Sequence, residues 1–150
     1  MSASHSPLQL QRFIPYRLAD LAHRLSQELS AIYAEPPFAI SIAEWRVLAQ
    51  LAEHPALTSK TLGQLTGMDK TKVSRAVQRL AERNLLAQQR DENDQRQRYL
   101  RLSESGQALY QQLAPHALDW EQRRLAALDP QERQQLLALL DKLDQAEPRT

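Results

Sequence analysis

Leu18, Leu21, Leu25, Leu29 and Ile32 recur at steps of three and four, so residues 15–33 read as an amphipathic helix with one apolar stripe. Pro15 suits its first turn, where the N–H that proline lacks would have no partner. Glu35-Pro36-Pro37 ends the helix, because a residue before proline is pushed out of the helical region. A second helix spans 42–53, with Ser41 as its cap and Trp45, Leu48, Ala49 and Ala52 facing inward, and His54-Pro55 breaks the chain after it. Here Trp45 reads as a core anchor rather than a surface recognition residue. A short helix over 58–66 carries Leu62 and Leu65, and Gly67 follows where a tight turn needs positive φ. Asp69 caps a helix over 70–83, which Asn84 terminates in the left-handed conformation that Asn tolerates.

Beyond Asn84 the period changes. Segments 85–90 and 97–102 are extended, and in the second Leu100 and Leu102 alternate with Tyr99 and Arg101, as on a half-buried strand. They flank the polar run Asp91-Glu92-Asn93-Asp94-Gln95-Arg96, which makes a hairpin with a long tip. Ser103 then caps a helix through Leu109, Leu113 and Leu118 towards Leu125, which Pro115 is expected to bend or interrupt. A last helix opens at Asp129-Pro130 and is expected to bury Leu136, Leu137, Leu140 and Leu143. The expected fold class is mainly α with a small β-hairpin.

Composition narrows the chemistry. The 150 residues suit one domain, and only three glycines among abundant Leu, Ala, Gln, Glu and Arg favour helix over sheet. Cysteine is absent, which removes disulfides, thiolate metal sites and cysteine nucleophiles. The polar opening lacks the basic start and apolar run of a signal peptide, and no apolar stretch nears the roughly 20 residues that span a bilayer. A cytoplasmic chain without a membrane partner is expected.

A net charge of +1 conceals an asymmetry. Residues 1–56 hold four basic and five acidic side chains, residues 57–102 ten and five, and residues 103–150 five and eight. Positive charge concentrated in the middle third is what a nucleic-acid footprint requires, although a solvated face can show the same balance.

The helix over 70–83 sits inside that segment. At roughly 100° per residue, Val73, Ala76, Val77 and Leu80 share one side, while Thr71, Lys72, Ser74, Arg75, Gln78, Arg79 and Glu82 cover the other. One face docks on a core. The other offers the hydroxyl, amide and guanidinium groups that bond phosphates and base edges in a major groove. A shorter helix ending at Gly67 precedes it, and a hairpin carrying Arg90, Arg96 and Arg98 follows it. That order is a winged helix-turn-helix, in which the wing sets an arginine against the DNA backbone or in the adjacent minor groove.

At these residues the chain resembles the MarR family of bacterial regulators, over nearly its whole length. The likeness is carried by Glu44-Trp45-Arg46-Val47-Leu48, by Met68 to Val77, by Leu80 to Leu86, and above all by the wing Arg90 to Arg96 with Leu100 to Gly106. Asn84 stands where the family usually has glycine and Ser103 where threonine is common, and both keep the local backbone logic. The resemblance implies a single MarR-like domain over 1–150, with a winged-helix lobe at 41–102 and dimerisation helices at 8–34 and 103–146. It further implies an obligate homodimer, a palindromic operator in double-stranded DNA, and a repressor released by a small ligand. The leucine-rich terminal helices agree with a dimer.

The resemblance places Thr71, Lys72, Ser74, Arg75 and Arg79 at the recognition-helix positions and Arg96 at the wing tip, as a minor-groove contact. Asp94 either orients that arginine or simply forms the turn, and Arg90 and Arg98 serve phosphates or hairpin ion pairs. Family effectors are often phenols or aromatic carboxylates. Tyr16, Arg17, His23, Trp45 and Arg46 are the ligand candidates, an arginine pairing with the carboxylate and Trp45 lining an apolar wall. The stretch Phe13 to Ser30, with Glu44 to Leu48, resembles the branch that senses aromatic-acid catabolites.

Competing classes find less in the residues. His5, His23, His54 and His116 are scattered and no cysteine joins them, so no metal site is expected. No serine–histidine motif, phosphate-binding glycine loop or apolar carboxylate pair marks an enzyme, and no cofactor is implied. A winged helix used only for protein–protein contact remains the alternative. It predicts weak DNA affinity with little dependence on salt.

Overall fold

A computed structural model describes residues 6–94 and 96–146; His5 and Gln95, named above, lie outside the described residues. After a single 3₁₀ turn at Leu10–Arg12 the elements are α1 (Ile14–Ala34), α2 (Ile42–Glu53), α3 (Ser59–Thr66), α4 (Lys70–Glu82), β1 (Leu86–Arg90), β2 (Arg98–Leu102), α5 (Glu104–Arg124) and α6 (Pro130–Gln145). The fold is mainly helical with a two-stranded antiparallel hairpin, as the pattern predicts. The chain divides into two compact units, one ending at Ala114 and one beginning at Pro115.

Local chemistry sets the helix ends. Ser41 Oγ accepts the Glu44 N–H at 3.1 Å while Glu44 reaches back to the Ser41 N–H, a reciprocal capping box. Thr58 caps α3 through the Thr61 N–H, and Asp69 caps α4 through the Lys72 N–H at 2.8 Å. Gly67 takes φ 68° and Asn84 φ 57°, the left-handed turns that close α3 and follow α4.

The core of the first unit joins Val47, Leu48 and Leu51 of α2, Leu62 of α3, the apolar face of α4, Leu85 just before β1, and Leu86 and Leu100 of the hairpin. Leu113 of α5 and Tyr33 of α1 are also fully enclosed. Hydrogen bonds between Leu57 and Leu100, N–H to carbonyl in both directions at 3.0 and 2.7 Å, lay the chain before α3 alongside β2. A one-residue bridge has no periodicity, so the pattern did not show it.

Several expectations change. The buried face of α2 is Glu44, Val47, Leu48 and Leu51, whereas Trp45, Ala49 and Ala52 are half-buried. The stripe was misplaced by one position because a carboxylate occupies it. Leu65 is exposed, as are Leu18 and Leu21 of the α1 stripe. Pro115 lies inside α5 and does not interrupt it. Leu136, Leu137, Leu140 and Leu143 of α6 are 40–63% exposed, so this chain alone does not bury them. In the second unit α6 starts with a capping box at Asp129, and Arg133 donates to the Leu125 carbonyl at 3.0 Å.

Among the described residues no helix is long and apolar enough to cross a membrane, and no group of three His, Cys, Asp or Glu could hold a metal ion.

Candidate nucleic-acid interface

α4 is held from within by Val73, Ala76, Val77 and Leu80, all buried. Thr71, Lys72, Ser74, Arg75 and Arg79 are all exposed, so every recognition-helix candidate lies on the outward face. Gln78 and Glu82 share that face and bond each other at 3.2 Å.

The hairpin register gives the wing its charge. Leu86 pairs with Leu102, Gln88 with Leu100, and Arg90 with Arg98. Two like charges directly opposite each other are unfavourable unless an anion lies between them. Arg98 spends one N–H on Gln88 Oε1 at 3.4 Å, and Gln88, Arg90 and Arg98 line a shallow polar cleft. At the tip the Asp94 carboxylate accepts the backbone N–H of Arg96 at 3.0 Å. That bond forms the turn and leaves the Arg96 side chain exposed.

Besides a cleft of about 530 Å³ between α3 and the start of α4, two clefts border the outward face of α4. One, of about 520 Å³, runs between α4 and the wing and brings Ser74 and Gln78 together with Arg98. The other, of about 190 Å³, lies between α4 and the start of α2 and gathers Lys72, Arg75 and Arg79 around Ser41 and Glu44. Glu44 Oε1 is 3.8 Å from Nη1 of Arg79. Glu44 as a partner of α4 was not visible in the pattern of residues. Its place at the third position after a serine cap marks a capping box, which explains a local role and conceals the distant one.

The ligand candidates divide into separate places. Trp45 stacks on Tyr110 of α5, with ring centroids 5.6 Å apart, and meets Tyr33 of α1 at 5.2 Å. Arg46 is exposed beside them, and its charge reaches the Tyr33 phenol. Tyr16, Arg17 and His23 lie towards the other end of α1, 17, 16 and 10 residues before Tyr33. At 1.5 Å per residue those spacings are about 25, 24 and 15 Å along the helix. Arg17 donates to the Gln11 carbonyl at 3.1 Å, and His23 is exposed. One chain therefore does not bring Tyr16 or Arg17 to Trp45. Tyr33 and Tyr110 were missed because each sits beside an aliphatic stripe and reads as part of it.

A short helix, a turn, a second helix with a buried apolar face and an exposed basic one, and an arginine-bearing hairpin define a winged-helix DNA-binding regulator. The chain belongs to the MarR family of transcriptional regulators. A family model described as "MarR family" matches residues 38–97. A solved MarR-family transcriptional regulator from Silicibacter pomeroyi is 30% identical, with a TM-score of 0.78 and 92% of this chain and 94% of that chain covered. A MarR/EmrR-family regulator from Acinetobacter sp. ADP1 is 28% identical at a TM-score of 0.83, covering 91% and 96%. BpsR of Bordetella bronchiseptica, whose DNA binding is regulated by 6-hydroxynicotinic acid, is 28% identical at a TM-score of 0.72, covering 85% and 98%. Repression and homodimerisation are typical of the family.

Proposed function

We propose that this chain acts as a homodimeric repressor that binds a palindromic operator and is released by a small aromatic or phenolic acid. The observation that carries the reading is the exposed face of α4, where Thr71, Lys72, Ser74, Arg75 and Arg79 stand over a fully buried apolar face. A helix anchored in this way enters a major groove as a rigid body. The wing then lies beside it, with Arg96 aimed at the minor groove and the facing Arg90 and Arg98 straddling a phosphate. Asp94 acts as the turn former that presents Arg96.

The effector class is supported by the aromatic wall of Trp45, Tyr33 and Tyr110 with Arg46 at its edge, which suits a flat ring bearing a carboxylate. The response of BpsR to 6-hydroxynicotinic acid supports the same class. Tyr16, Arg17 and His23 form a second candidate group on the first half of α1.

Fluorescence anisotropy tests the reading, using duplex from the protein's own upstream region against a scrambled duplex, over a salt series. 6-Hydroxynicotinic, benzoic and salicylic acids are added in turn. Selective binding that falls steeply with salt and is weakened by one acid is expected. Equal, salt-insensitive binding to both duplexes would show that the winged helix does not read DNA.

A further inference from the structure

Glu44 is the one buried charged residue among the described residues, at 5% exposure, on the face of α2 that packs against α4. A carboxylate removed from water is costly unless it is both hydrogen-bonded and paired with a cation. Its Oε2 accepts the Ser41 N–H at 3.4 Å, and its Oε1 faces Nη1 of Arg79 at 3.8 Å. The second contact is a charge pairing, too long for a hydrogen bond. Arg79 keeps 68% of its side chain exposed, so one corner of the guanidinium faces the carboxylate while the rest is open.

The surroundings show why this pairing matters. In the cleft at the start of α2, Glu44 is the one acid among Lys72, Arg75 and Arg79. A free arginine loses rotamer entropy when it docks on a ligand, and one already held loses less. We propose that Glu44 is a positioning residue for DNA recognition, a buried carboxylate that holds the Arg79 guanidinium in place before DNA arrives. The inference rests on reading α4 as the DNA-binding helix.

Charge alone and positioning make opposite forecasts. Neutralising a carboxylate beside a bound polyanion should tighten binding, because a repulsion is lost. Releasing Arg79 into its rotamer ensemble should weaken it. Glu44→Gln separates the two, since glutamine also serves at the third position of a capping box and the helix start survives.

The test is a double-mutant cycle on the full chain with Glu44→Gln, Arg79→Ala and the pair. Anisotropy is read at one salt concentration on a duplex that the wild type enriches from a random pool, and thermal melts check folding. Glu44→Gln is expected to weaken binding about tenfold when Arg79 is present, and to leave it unchanged or slightly tighter when residue 79 is alanine, where only the lost repulsion acts. Equal weakening in both backgrounds would reduce Glu44 to a structural residue, and tightening in both would leave only its charge; either result overturns the proposal. Should Glu44→Gln fail to fold, Glu44→Asp keeps the charge but withdraws it from Arg79, and the same dependence on Arg79 is required. Enrichment of no sequence by the wild type would refute the DNA reading itself, and the proposal with it.

Discussion

Tyr33 shows how much one enclosed phenol reports. Its side chain is 2% exposed, and burial pushes its pKa from 10.0 up to about 12, with a hydrogen bond from Trp45 and the charge of Arg46 offsetting part of the rise. A raised pKa favours the neutral form in the folded chain. Its contribution to stability is therefore complete below the unfolded value and is lost as pH climbs from 10 towards 12. Urea titrations across that range should show wild type losing on the order of 2 kcal/mol that Tyr33→Phe does not lose. Gly106 carries a different constraint. A Cβ there would collide with the carbonyl oxygen of Leu85, the residue just before β1. Gly106→Ala should lower stability by about 2 kcal/mol or more, seen as a lower urea midpoint with an unchanged slope. The sequence marked Gly106 only as part of a family-like run, since the crowding comes from a residue 21 positions earlier.

At the scale of elements, α4 is bounded by chemistry at both ends. Asp69 accepts the Lys72 N–H at its start, and Asp69→Ala should cost about 1 kcal/mol in urea unfolding. At the other end Arg83 reaches across to the loop between α1 and α2, donating to the carbonyls of Ala39 at 3.0 Å and Phe38 at 2.9 Å. Lysine keeps the charge but not the fork that spans both carbonyls. Arg83→Lys is thus expected to destabilise by about 1 kcal/mol in the same assay. The caps Ser41 and Asp69 were legible because a serine or aspartate and the N–H it accepts lie within one turn, whereas Thr58, the cap of α3, was read as the helix's first residue. The reach of Arg83 over 44 and 45 residues was not, because nothing local to Arg83 names its acceptors.

For the whole molecule, the exposed apolar residues argue for a partner. Leu136, Leu137, Leu139, Leu140 and Leu143 of α6, with Leu8, Leu10, Phe13 and Ile14 near the start, all remain at least 40% exposed in a single chain. Under the proposed homodimer, Leu137→Glu with Leu140→Glu should shift sedimentation from dimer to monomer. DNA affinity should fall with it, because a palindrome is read by two half-site contacts on one rigid body. Unchanged sedimentation would place α6 outside the dimer interface. By itself the sequence determined the elements, their caps, the turns at Gly67 and Asn84, and the split of α4 into apolar and basic faces. Each of these depends on neighbours within a few residues. Only the tertiary structure decided that the α2 stripe runs through Glu44, that Leu57 pairs with Leu100, that Tyr33 and Tyr110 contact the Trp45 ring, and that Tyr16 and Arg17 stand apart from it. Those facts join positions far apart in the chain. Their energies come from burial and charge pairing, which local periodicity does not record.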